Sequence, residues 1–447
     1  MGSSAATEIE TGCGADRVCA VFRGPGQASL FLDGRGGFAE AWGPLVAVQP
    51  RVVLAHRGDQ AGGARAALDT LDRLVATRRA RGGSAWTGIA ALVGYDLLDR
   101  APVSTRDDDG LPDVVLLDVD ASILATESGP LLLHLRPQAS PGKTADAIRR
   151  KLDGAAEGPA SPAALAPRGA LTTTLPRPAY LGAVEEVKRH IRLGDIYPAN
   201  LTQRFATRCD RDPFEVYRAL ARGTPAPRSA FVETQGFALA SVSPEVFLRG
   251  GADGRIETMP IKGTRRRHAD PETDGRAARA LADSEKDRAE LTMIVDLERN
   301  DLGRVCRTGS VEVRDLCVLR SFAAVHHLVA RVEGRLNPGT RPSELIRATF
   351  PGGSISGAPK IRSLEILRSL EPRRRSFFTG SLLWFGDDGS LDSSILIRSA
   401  VMTRGRVLIG AGGGVVAESD PEAEWRESCD KARALLGVFG LAPEDAT

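Results

Sequence analysis

No Cys-x-x-Cys pair occurs in this chain, and no apolar run approaches the roughly 20 residues that a membrane span needs. The six cysteines, at 13, 19, 209, 306, 317 and 429, follow no regular spacing. That excludes a disulfide framework and a thiolate zinc site, and it fits free thiols in a reducing cytoplasm. The start, Met1-Gly-Ser-Ser-Ala-Ala-Thr-Glu8, lacks the basic and apolar segments of a signal peptide, and Ala6 stands where a myristoylation signal needs Ser or Thr. A cytoplasmic location is the expectation. Neither sign of charge dominates: 59 basic against 57 acidic residues leave +2, which argues against nucleic acid or an anionic membrane as an obligate partner. Lysine is scarce beside arginine, so each lysine carries more information than usual.

What is present is ordinary globular material, 447 residues with 42% hydrophobic and 26% charged, enough for one large domain or two fused units. Residues 1 to about 15 are small and polar and read as disordered. Residues 16–136 form a mixed α/β region, with short apolar strands and an amphipathic helix over 64–80. A stretch rich in Pro, Ala, Gly and Thr, residues 137–175, reads as a linker with a short helix at 144–152. Residues 176–440 carry the stronger signals. Strand pairs turn at Gln235-Gly236, Asp253-Gly254 and Asp387-Asp388-Gly389, the last in a hairpin over 378–402, and helices are predicted over 178–193, 271–281, 284–297, 359–370 and 421–436. Hairpins grouped between helices predict antiparallel sheets covered by helices, rather than a doubly wound parallel sheet.

Several polar groups stand out. Lys262 lies in Glu257-Thr-Met-Pro-Ile-Lys-Gly-Thr264, between an apolar run and a glycine that permits a close turn able to aim the amine. Asp287 and Glu290 sit three apart on one helix, and Glu424 and Glu427 on another, so each pair shares a face. Together they could form a hard-oxygen Mg2+ site. Asp287 also completes a capping box from Ser284, and Glu424 and Glu427 are ordinary first-turn acids, so spacing alone favours those plainer roles. The glycine-rich segments 349–360 and 410–414 could offer backbone amides to an anion, although the first lacks the order of a Walker loop. Arg398, in the apolar run 394–400 read as a strand, and Lys431 are cations that call for an anionic partner. Glu245, just after a strand, could act as a general acid if buried; His327 reads more simply as a core histidine.

Taken in order, the segments Gly194-Asp-Ile-Tyr-Pro-Ala-Asn200, Ser243-Pro-Glu245, Pro260-Ile-Lys-Gly-Thr264, Lys286-Asp-Arg-Ala-Glu290, Ile294 to Gly303, Phe350-Pro-Gly-Gly-Ser354, Gly357-Ala-Pro-Lys360 and Asp420 to Trp425 resemble the chorismate-utilising enzymes. The resemblance is strong over 177–440 and nearest to the large component of the aminodeoxychorismate synthase branch. It implies an α/β sandwich of two antiparallel sheets, as in anthranilate synthase component I, a Mg2+ ion and chorismate as substrate. Lys262 would attack ring C2 as Glu245 protonates the departing 4-hydroxyl, and ammonia would then add at C4 and expel the lysine. Branches that aminate C2 carry a small residue at that position. Glu290, Glu424, Glu427 and Asp287 would hold the metal. Arg398, Lys431, Gly412, Gly414, Thr264 and His327 would contact substrate.

The nucleophilic role sets a condition, since a free lysine costs about 4.6 kcal/mol to deprotonate at pH 7; the Arg265 to Arg267 run has the sign to help. Pro198 stands where water-adding relatives carry a general-base lysine, and Phe378 where many relatives have tyrosine. No cysteine sits in a nucleophile elbow, so a separate glutamine amidotransferase subunit is the expected ammonia source. Anthranilate synthesis, and a silent chorismate-binding homologue, are the rival readings.

Overall fold

The computed structural model describes residues 7–9, 15–24, 26–34, 44–57, 63–98, 109–124, 131–136, 141–153, 169–322 and 325–447. Its centre is a sandwich of two antiparallel sheets covered by helices. The larger sheet runs, edge to edge, Thr7–Ile9, Leu131–Leu135, Ala121–Leu124, Leu45–Ala47, Ser29–Asp33, Arg228–Thr234, Phe237–Ser243, Ser399–Thr403, Arg406–Val415, Ala199–Arg208 and Thr172–Thr173. The second runs Ile261–Arg266, Val325–Arg335, Arg255–Met259, Val246–Gly250, Leu391–Ile395, Ser381–Gly386, Gly88–Val93, Val114–Val119 and Arg51–His56, with Glu312–Ser321 also paired to Val325–Arg335.

Two-residue periodicity sorts the core into layers. Leu30, Leu32, Ala90, Leu92, Leu382 and Trp384 point between the sheets. Their neighbours turn outward: Phe31 meets a helix layer with Val18, Ile148, Tyr217 and Leu435, and Ile89 and Ala91 meet one with Leu71, Leu291 and Leu345. The central strands are thus apolar on both faces, which explains continuous apolar runs such as Gly88–Val93, buried throughout.

The 16–136 and 176–440 regions share both sheets. Ser29–Asp33 pairs with Arg228–Thr234, and Gly88–Val93 pairs with Ser381–Gly386. Between them lie the helix Pro141–Asp153 and the strand Thr172–Thr173, while residues 137–140 and 154–168 of the expected linker lie outside the described residues. Thr7–Ile9 is ordered against Leu131–Leu133 rather than disordered; a sheet edge recruits it although its composition is polar. Helices Ala15–Phe22, Pro213–Gly223 and Pro342–Thr349 were not anticipated. The expected hairpin over 378–402 ends at Ile395, after which the chain leaves its sheet and Ser399–Thr403 joins the other. Among the described residues, no helix is long and apolar enough to cross a membrane, and the five cysteines are free and buried.

Candidate active site

Two sheet crossings place the first functional groups. After Phe237–Ser243 the chain passes to the second sheet through Pro244 and Glu245; after Leu391–Ile395 it returns through Ile397 and Arg398. The crossings are tied together, Ile395 N donating to Glu245 O at 3.2 Å and Val242 N to Arg398 O at 3.1 Å. Arg398 therefore does not lie in a strand. It takes a left-handed φ of 50°, because the apolar run 394–400 is the end of one strand and the start of another.

Lys262 is held by a bulge. Ile261–Arg266 pairs with Val325–Arg335, but the register slips between Lys262 and Thr264, and Gly263 there has φ 72°. Such a bulge re-aims the neighbouring side chain. The Lys262 amine reaches the opposite sheet: a Cβ added to Gly414 would stand 3.4 Å from Lys262 Nζ and 3.9 Å from Glu290 Oε2. The segment 410–414 thus lies within the strand Arg406–Val415, and the missing side chain at Gly414 leaves room for the amine.

These groups surround a cavity of about 460 Å3. Glu245, Lys262, Thr264, Asp287, Glu290, His327, Arg398, Gly412, Gly414, Glu427 and Lys431 all line it. Glu424 sits behind, buried, accepting from Ser419 Oγ at 2.6 Å. Asn200, Ser354 and Lys286 also line the cavity. Of these, Lys286 had a visible signal, being four residues before Glu290 on one helical face; Asn200 and Ser354 carry none in spacing.

Glu245 is 3% exposed, and burial pushes its pKa up to about 6, against the pull of nearby Ser354, Lys262, the Ile261 backbone and Lys431. Its Oε1 and Ser354 Oγ lack hydrogen-bond partners, so Ser354 acts on the carboxyl by proximity without an aligned bond. A further buried acid, Glu298, stands behind it; burial, then the Glu245 charge, raises its pKa to about 8, while Thr258 Oγ1 donates to Oε2 at 3.0 Å. His327 is pushed down to about 4 by burial, so its ring is neutral at pH 7. Its Nδ1 lies 3.0 Å from Thr264 Oγ1 and 3.3 Å from Gly263 O. A carbonyl only accepts, which puts the ring proton on Nδ1 and leaves Nε2 an acceptor. Arg398 makes no ion pair among the described residues, and burial lowers its pKa.

The helices Glu285–Gly303 and Pro421–Gly437 bring their acids to one end of the cavity. Burial raises Glu290 and Glu424, with Glu427 adding to both by like charge. Burial also acts upward on Glu427, but Lys431, at 2.7 Å, draws it below the usual carboxylate value. Lys286 lies 3.9 Å from Glu290 and 4.0 Å from Glu424. As these side chains stand, no three His, Cys, Asp or Glu among the described residues form a metal cluster. The donor chemistry nevertheless fits a hard cation: the carboxylates face one another, and buried Glu424 Oε2 has no hydrogen-bond partner. Asp287 is engaged elsewhere, its Oδ2 3.1 Å from Arg265. Arg267 is likewise bound to Asp274, at 2.9 Å, so two of the three arginines in the run are engaged with carboxylates rather than with Lys262.

The sequence profile of the chorismate binding enzymes matches residues 27–437, and the chain belongs to that family. Among its relatives, aminodeoxychorismate synthase component 1 of Salmonella typhimurium is 39% identical over 352 residues, covering 78% of this chain and 76% of the relative. Anthranilate synthase component 1 1 of Haloarcula marismortui is 45% identical over 266 residues, covering 60% and 54%. The fold is that of anthranilate synthase component I from Streptococcus pneumoniae TIGR4, with TM-score 0.75 at 24% identity over 92% of this chain and 93% of that one.

Proposed function

We propose that this chain is the chorismate-aminating component of an aminodeoxychorismate synthase, acting at ring C4. The observation that carries the reading is Lys262 on its Gly263 bulge, with its amine reaching across the cavity toward Gly414. Lys262 Nζ would bond C2 while the C4–O bond breaks, with Glu245 giving its proton to the departing hydroxyl, which leaves as water. Ammonia would then bond C4 as the C2–N bond breaks, returning the lysine and giving 4-amino-4-deoxychorismate. Burial near pKa 6 supports Glu245 as the acid, because a fraction remains protonated near neutrality.

Arg398 and Lys431 are the cations left to bind the substrate carboxylates, Lys431 after exchanging its contacts with Glu427 and Gly412 O. Gly412 and Gly414 admit the ring close to the backbone, and the Thr264–His327 pair forms a neutral wall beside it. Glu290, Glu424 and Glu427, with Asp287 at the margin, would hold Mg2+, which supplies positive charge for a substrate carboxylate. It would also offset the acids that surround Lys262. Relatives named component 1 support a second chain, here a glutamine amidotransferase subunit supplying ammonia.

The similarity to an anthranilate synthase component keeps C2 amination as the second reading. Lys262→Ala separates them. The variant is expected to lose at least a thousandfold in C4 amination with ammonium while its chorismate Kd stays within about fivefold; unchanged C4 amination would remove the lysine from the covalent role.

A further inference from the structure

The acids at the end of the cavity are balanced by the chain's own cations. Arg265 stands 3.1 Å from Asp287, and Lys431 stands 2.7 Å from Glu427. Lys286 faces the other two, its Nζ 3.9 Å from Glu290 Oε1 and 4.0 Å from Glu424 Oε1. Those two acids come from different helices, Glu285–Gly303 and Pro421–Gly437. One ammonium therefore spans a gap that like charge would otherwise widen.

Lys286 also sits where a lysine has little local reason to be. It is the second residue of its helix, just after the Ser284 cap, and the unpaired amides of a helix N-terminus disfavour positive charge. The acids across the gap offset that cost. Its contacts are longer than hydrogen bonds, and its side chain is 57% exposed, so the amine is held by charge alone and can return to water on a flexible, strongly hydrated stem. Glu290 is half-buried and Glu424 buried, and burial together with the like charge of Glu427 makes their ionised forms costly without a cation beside them.

We infer that Lys286 is a displaceable counter-cation, which holds the acids of the two helices together when no ion is bound and yields them to Mg2+. The inference rests on the Mg2+ site of the reading above and is independent of which carbon is aminated. Lysine and metal draw on the same two carboxylates, so Lys286 sets how tightly the ion is held: binding the ion includes the work of driving an ammonium away from acids it neutralises.

The test titrates Mg2+ alone into the full chain, stripped with EDTA and dialysed, by isothermal titration calorimetry. Lys286→Met keeps the stem and removes the charge, and is expected to tighten the Mg2+ Kd at least fivefold. Lys286→Arg, which keeps the charge, should stay within twofold of the unaltered chain. Thermal melts give a second readout: without metal Lys286→Met should melt below the unaltered chain, and saturating Mg2+ should narrow that difference. An unchanged or weakened Mg2+ Kd in Lys286→Met, or a melting difference that Mg2+ leaves as it was, overturns the inference while the Mg2+ site stands. No binding of Mg2+ by either chain removes the site and the inference together. Tightened Mg2+ binding by Lys286→Met, in a protein whose unaltered chain makes anthranilate, would uphold the inference and sink the amination reading alone.

Discussion

A carboxyl group that donates a proton must still hold one at the working pH, and for Glu245 burial does this. Glu245→Gln keeps the shape and removes the acid. It is expected to lower kcat by about 100- to 1000-fold with little change in chorismate affinity, measured by steady-state kinetics with ammonium. Glu298 makes a different prediction. Its folded-state pKa, about 8, lies far above the ordinary carboxylate value of 4.5, so the folded chain binds the extra proton between those values and stability falls as pH rises through that window. Below about pH 4.5 the penalty is absent; above about pH 8 it is complete. At about 1.4 kcal/mol per unit it amounts to several kcal/mol. Glu298→Gln should therefore raise the melting temperature at pH 8 by more than at pH 5, and an equal change at both pH values would contradict the burial argument. Little of this was legible beforehand. Glu298 stood in the sequence only as one residue of a helix segment, and nothing in spacing shows that a carboxyl is sealed from water behind another.

At the scale of elements, the bulge at Gly263 decides where Lys262 points. The sequence signalled it, because lysine followed by glycine at a strand end permits the positive φ that aims the amine. A Cβ at Gly263 would lie 2.7 Å from Leu281 Cδ1 and 3.0 Å from Asp287 Cγ, in a backbone with φ 72°. Gly263→Ala is expected to destabilise the fold by about 1–3 kcal/mol and to reduce amination further than the lost folded fraction explains. Wild-type activity per folded molecule would show that the bulge does not aim the amine. Arg398 was misplaced for a physical reason. Residues 394–400 form one unbroken apolar run, and periodicity reports burial without revealing that the chain changes sheets. The paired acids Asp287 and Glu290, and Glu424 and Glu427, were legible as faces of two helices; that the faces meet is a tertiary fact.

Across the whole molecule, antiparallel sheets covered by helices are legible in hairpins lying between helices, and the family resemblance implies their sandwich, while the sharing of both sheets by the two regions is legible in neither. Pro- and Gly-rich composition marks a change in local structure, and it says nothing of which strands pair across it. Residues 176–440 produced alone would expose the open edges of Arg228–Thr234 and Ser381–Gly386, which Ser29–Asp33 and Gly88–Val93 now cover. Such a fragment is expected to aggregate or unfold without a cooperative transition, by thermal circular dichroism. A sharp transition near that of the full chain would show that the shared sheets are dispensable.

The central claim is which carbon receives nitrogen. The purified chain, incubated with chorismate, Mg2+ and ammonium at pH 7, should release 4-amino-4-deoxychorismate, identified by mass and chromatography against the authentic compound. Anthranilate as the product would contradict the account.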